Sequence, residues 1–300
     1  MHKWIVALAL AAACGGGNGP RVKDPSDSIV QPMTVGDHLL ALLPPGPQIV
    51  LEVDLTRLRA NPVVGDIVTK ALAARKTALP AGVPASPLGT AEAITLAAYG
   101  VGTAQAATVT LVASKVPVES ATKVDENVWA IGPKDWVAQV AQRAAVGKVL
   151  AADDVRKLRD HAMPSGAPGA SIRVTARLPF DARVAFARAT GLDAAPAQLS
   201  LWADVVDDLA IVVDADATDP GAKAGKDAKD AGRRMQETLG AAMTAIAGVP
   251  AIRELGIASS LDNARFTISG TWVRAVIAIG PTHLQRIVER AQKLVGTMGE

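Results

Sequence analysis

One cysteine, one tyrosine and three phenylalanines are all that the 300 residues hold of those types. A single thiol excludes an internal disulfide, and a chain of this length can bury enough surface to fold without one. It also excludes zinc sites built from several cysteines. Aromatic residues make up only 3% of the chain, which leaves little for base- or sugar-stacking platforms. Charge of one sign is lacking too. Lys and Arg number 31 against 29 Asp and Glu. Nucleic-acid binding draws on a strong local excess of positive charge, so no nucleic-acid partner is expected. After residue 13 no apolar run approaches the ~20 residues that span a bilayer.

What is there begins with MHKWIVALALAAACGGGNG. His2 and Lys3 give a basic start, Trp4 to Leu10 an apolar stretch, and Ala11-Ala12-Ala13-Cys14 small residues ending in the lone thiol. The stretch resembles a bacterial lipoprotein signal peptide, with Ala11 to Cys14 as its lipobox. The resemblance implies cleavage before Cys14, a diacylglycerol group on its thiol, and acylation of its amine. Anchoring then needs no membrane-spanning helix, since two or three acyl chains hold where one is marginal. It also implies a cell-envelope location in a Gram-negative bacterium. Gly15 follows the cysteine, where Asp would favour retention at the inner membrane, so the outer membrane is favoured.

Composition divides the rest. Residues 1–13 are the leader. Residues 14–35 are the lipidated Cys14 and a tether rich in Gly, Pro, Asp and Ser. Residues 36–163 form a first lobe with a linking helix, and residues 164–300 a second. In QIVLEVDL, Ile49, Leu51, Val53 and Leu55 alternate with Val50, Glu52 and Asp54, which predicts a half-buried strand. Asp54 or Thr56 caps a following helix that Pro62 splits. AEAITLAAYG and AATVTLVASKV predict a hairpin, ENVWAIGP a strand, and KDWVAQVAQRAAVG a helix. The second half repeats this order. ASIRVTARLPF alternates, DARVAFARATGL reads as a helix, and AQLSLWADVVDDLAIVVDADA reads as a hairpin around Asp207-Asp208. AIGP occurs at Ala130–Pro133 and again at Ala278–Pro281, each time before a helix. The expectation is an α+β fold of two similar antiparallel-sheet-plus-helix lobes, an internal duplication, with a groove between them. The segment Pro47 to Arg59 also resembles a stretch of secreted bacterial proteins, a resemblance that brings no activity with it.

GAKAGKDAKD (Gly221 to Asp230) has three residues between its glycines where a phosphate loop has four, and Asp227 follows Lys226 where Ser or Thr belongs. GVGTAQ lacks the third glycine of a dinucleotide fingerprint and is read as a hairpin turn. Asp204, Asp214, Asp216 and Asp219 are the one group with the makings of a Ca²⁺ site. They lack EF-hand spacing, and solvated strand ends account for them. His38, His161 and His283 stand far apart, with His283 read into the first turn of the last helix beside a Thr282 cap. Trp129, Trp136, Trp202 and Trp272 are read as core. No cofactor and no catalytic residue is expected. The reading is a membrane-anchored, non-catalytic envelope lipoprotein that scaffolds or binds an envelope protein or lipid. The alternatives are a carrier of an apolar ligand and a hydrolase whose triad forms only in space.

Overall fold

The structure, a computed structural model, describes residues 34–74, 89–146, 153–167, 169–190, 195–218 and 226–298. Cys14, the leader, the tether up to residue 33, Asp219 and Gly221 to Gly225 lie outside the described residues.

The first half opens with α1 (Val35–Leu42), β1 (Ile49–Asp54), α2 (Leu55–Ala60) and α3 (Gly65–Ala74). Thr34 caps α1 in a capping box with Asp37, the carboxylate answering the Thr34 N–H and the hydroxyl answering the Asp37 N–H. The Asp54 carboxylate caps α2 by accepting from the Arg57 N–H at 2.7 Å. Pro62 falls between α2 and α3, as its missing N–H demands. Then come β2 (Ala93–Tyr99), β3 (Ala107–Ala113), β4 (Thr122–Asp125), β5 (Val128–Ile131) and α4 (Lys134–Val146).

The second half gives α5 (Asp153–His161), β6 (Ile172–Arg177), α6 (Phe180–Thr190), β7 (Gln198–Val205) and β8 (Leu209–Asp216). It closes with α7 (Lys226–Ala247), α8 (Pro250–Leu255), α9 (Ala258–Asp262), β9 (Arg265–Ser269), β10 (Trp272–Ile279) and α10 (Pro281–Met298).

The class is α+β. Among the described residues ten strands form one antiparallel sheet in the order β4-β5-β3-β2-β1-β6-β7-β8-β10-β9. Read outward from its centre, the sheet gives β1-β2-β3-β5-β4 one way and β6-β7-β8-β10-β9 the other. The two sequence halves therefore build the same strand order twice. They meet at an antiparallel β1–β6 ladder where Leu51 faces Val174, Ile49 faces Ala176 and Val53 faces Ile172. This pairing is self-consistent under a two-fold rotation about the Leu51–Val174 pair. Along this ladder the halves share one sheet edge to edge. The helix expected as a linker, α5, packs on β6 and β7. It takes in the second half the place that α1 takes on β1, β2 and β3 in the first.

Residues opposite each other across a ladder share a face. On one face α1, α4 and α5 cover Val50, Ala97, Val109 and Leu111, with a satellite cluster around Trp202 and Val212. On the other, α2, α3 and α7–α10 cover Ile94, Val112, Ile211, Val213, Ile277 and Ile279. The repeated AIGP works alike twice, Ala-Ile closing a strand and Gly-Pro leading to a helix. The helices then diverge. Val137 and Val140 bring α4 to the first face, whereas Leu284 and Ile287 bring α10 to the second.

The long α7 crosses the β9–β10 hairpin at Gly232. A Cβ there would lie 2.7 Å from the Gly270 carbonyl oxygen and 2.7 Å from Ile268 Cγ2. Gly232→Val should therefore unfold at lower urea, by roughly 1–3 kcal/mol, as overpacked sites do. An unchanged midpoint in equilibrium unfolding would contradict this close approach.

Candidate functional site

Most buried polar residues of the sheet, Thr110 apart, collect on the first face, under and beside α5. Val155, Leu158 and Ala162 turn inward from this helix and its end. So does Arg159, only 6% exposed. Its Nε donates to Glu52 Oε2 on β1 at 2.8 Å, and its Nη1 to Asp37 Oδ1 on α1 at 2.6 Å. Burial works against the Arg159 charge, but Glu52 and Asp37 outweigh it and hold the guanidinium protonated. Burial pushes the Glu52 carboxyl above its ordinary range, with Arg159 pulling the other way. Asp37 is raised by burial and lowered further by Thr34 and Arg159, for a net fall.

Arg173 faces Glu52 across the β1–β6 ladder. Burial and the neighbouring Arg159 lower its pKa. Four buried polar atoms on β1, β2 and β6 have no hydrogen-bond partner among the described residues: Glu52 Oε1, Thr95 Oγ1, Thr175 Oγ1 and Arg173 Nε. Beside them Pro47, Gln48, Val50, Val155, Leu158, Thr175 and Arg177 line a cleft of ≈ 190 Å³, its open mouth included. Ligand pockets begin at ~300 Å³, so this cleft is too small for an acyl chain.

The last residue of α5, His161, builds a second cluster. Asp214 on β8 is 2% exposed. Arg274 on β10, its ladder partner, reaches it bidentately at 2.8 and 2.7 Å. His161 places Nδ1 2.7 Å from Asp214 Oδ2 and stacks on Trp272, ring centroids 3.9 Å apart. Arg274 also donates to the His161 carbonyl at 2.9 Å, tying β10 to the end of α5. A carboxylate that fixes one imidazole nitrogen leaves the other to meet solvent, the geometry of an oriented base or ligand.

The third cluster joins the halves. Arg57 on α2 forks onto both oxygens of Asp204, with Nε at 2.6 Å from Oδ1, and Ser171 Oγ donates to the same Oδ1 at 2.8 Å. Asn61 Nδ2 donates to the Val205 and Val206 carbonyls at 3.0 and 2.9 Å.

Asp204, Asp214 and Asp216, weighed with Asp219 as a cation site and set aside as solvated strand ends, are neither gathered nor solvated, since all three are buried. Asp204 lies opposite Ala210 beside the β7–β8 turn, whereas Asp214 and Asp216 lie opposite Ser200 and Gln198 at the far end. Hairpin register separates them, and arginines answer two of them. Asp216 accepts from Thr218. Among the described residues no three His, Cys, Asp or Glu side chains could hold a metal.

The imidazoles bond elsewhere than to serine. His38 meets Asp125 at 3.0 Å, and His283 Nε2 meets the Gly256 carbonyl at 2.9 Å. Thr282 does not cap the last helix, because α10 already starts at Pro281. Trp202 is core at 3% exposed, but Trp272 is half-buried in the His161 stack. No sequence signal marked Arg159, Glu52 or Arg274. The only trace was charge at strand positions whose neighbours are apolar, as with Glu52 in IVLEVD.

No described helix is long and apolar enough to cross a membrane. No family model and no curated protein matches the chain. Among solved structures, crystal form III of TP0453 is similar over 85% of this chain and 97% of its own, at 7% identity and a TM-score of 0.43. Crystal form I of TP0453 is similar over 84% and 96%, at 9% identity and a TM-score of 0.40.

Proposed function

We propose that the chain is a lipid-anchored protein of a Gram-negative cell envelope, its folded body a non-catalytic scaffold or binding module for an envelope component. The observation that carries this reading is the lone Cys14, placed where an apolar leader ends and a Gly-rich stretch begins. Acylation at that point gives the only thiol a use that no disulfide could. The body's chemistry fits. Buried Asp204 and Asp214 are held by arginines, and Glu52 by Arg159, so these carboxylates serve the fold. Gly15 after the cysteine favours the outer membrane.

The test is radiolabelled palmitate fed to cells that make the full chain or its Cys14→Ser variant. The wild-type chain should carry label and sediment with the outer-membrane fraction. The variant should carry none and appear in the soluble fraction. Label that survives the substitution, or a wild-type chain that stays soluble and unlabelled, would sink the reading.

A further inference from the structure

The sheet ends at β4 on one side and β9 on the other, among the described residues. The two edges are built differently. Strand β4 has four residues, a lysine, a register shift between Lys123 and Asp125, and a tie from Asp125 to His38. Short length, lysine and irregular register are the devices that stop an edge from pairing. Strand β9, RFTIS, has no proline, no lysine and a regular register with β10 from Arg265 to Ser269. Arg265, Thr267, Ile268 and Ser269 are exposed.

The direction of its free groups follows from the turn. Gly270 and Thr271 make a two-residue loop between Ser269 and Trp272, with Gly270 at φ +63° in the first central place that a type II′ turn gives to glycine. In such a loop the closing pair is hydrogen-bonded, and bonded pairs alternate along the ladder. Ser269, Thr267 and Arg265 therefore address β10. Phe266 and Ile268 turn their N–H and C=O groups outward.

We propose that β9 pairs with β9 of a second copy of this chain, antiparallel about Thr267, so that one sheet runs through both molecules. The strand is self-complementary in that register. Arg265, its only charge, falls opposite Ser269 of the second copy, so no like charges meet. Phe266 falls opposite Ile268, an aromatic against a β-branched residue on the α7 face. Phe266 and Ile268 also supply the hydrogen-bonded pairs, and Thr267 faces its own copy in the closer, non-bonded pair. Five residues per copy bury far less than the ~1,000 Å² of a stable interface, so association is weak and depends on concentration. The edge needs no lipid anchor, so the proposal stands apart from the Cys14 reading.

The full chain carrying Cys14→Ser has no thiol. Into it we would place Thr267→Cys, or Ser269→Cys as the comparison. Across a non-bonded antiparallel pair the Cα atoms lie ~4.5 Å apart, within disulfide reach. Mild oxidation should link the Thr267→Cys chains at least about tenfold more than the Ser269→Cys chains, which face Arg265. Thr267→Lys sets two ammonium groups against each other. The wild-type residue should give a sedimentation coefficient that rises with concentration, and Thr267→Lys should abolish that rise. Cross-linking by Thr267→Cys no greater than by Ser269→Cys overturns the proposal, and so does self-association that survives Thr267→Lys.

Discussion

Replacing Arg159 with methionine should destabilise the body by about 3–5 kcal/mol, the usual loss when one partner of a buried ion pair is removed. For a domain of this size that is a fall in Tm of roughly 6–20 °C. The reason lies in what stays behind. Glu52 is 8% exposed at its side chain and has one oxygen on Arg159 and one with no partner. Without Arg159 its carboxylate keeps only the more distant Arg173. The pH dependence has a definite sign. Burial raises Glu52, so its contribution to stability is full below its unfolded pKa and lost as pH rises through its folded value. Asp37 is lowered, so its contribution is present above its unfolded pKa and lost as pH falls through its folded value. Removing Arg159 takes away the main force opposing the rise at Glu52. The deficit of the variant should thus be largest at neutral pH and shrink on mild acidification, as Glu52 takes up a proton. Adding Glu52→Gln to Arg159→Met should recover much of the loss and flatten the pH profile. Calorimetry of the three chains between pH 4.5 and 8 (about the range where proteins are most stable) checks this. A single variant that melts like the wild type at neutral pH would contradict it, as would a double variant no better than the single.

That network shows where sequence reading stops. Strand β1, both long hairpins and the break at Pro62 were legible because alternation and punctuation are local. The duplication was legible through AIGP and the order of elements, and the strand order bears it out. The face to which each closing helix turns was not. The same four residues lead into α4 and α10, and the destination depends on which apolar stripe is left to cover. Arg159 and Glu52 are 107 residues apart, so no window contains both. The aspartates misled for a simpler reason. Their spacing was visible, but counting back through the hairpin puts Asp204 at the turn and Asp214 near the far end, and that count decides the matter. Short β4 (TKVD) escaped for want of length and of apolar residues, although Glu126-Asn127 before Val128-Trp129 is a turn signal.

Arg57→Leu should cost about 2–4 kcal/mol, somewhat less than the loss at Arg159, because Ser171 still answers Asp204. The pair spans the halves, 147 residues apart, and the Asp204 side chain is only 2% exposed. The Asp204 hydrogen bond, against burial, raises the Arg57 pKa and holds the guanidinium protonated. Geometry matters beyond charge here. Arg57 offers two parallel N–H groups to two oxygens, and a lysine offers one point of charge. Arg57→Lys should therefore lose part of what Arg57→Leu loses, roughly 1–2 kcal/mol. Asp204→Asn in the Arg57→Leu chain should recover stability, because the stranded charge is gone. Hydrogen exchange locates the effect. The Asp54 amide donates to the Ser171 carbonyl at 2.9 Å beside this fork, and it should exchange faster in Arg57→Leu than amides of the distant β3–β5 ladder. Uniform acceleration across the sheet would mean that the two halves open as one unit and that the fork is not a local clasp. A urea midpoint equal to wild type would mean that Asp204 finds another partner when Arg57 is lost.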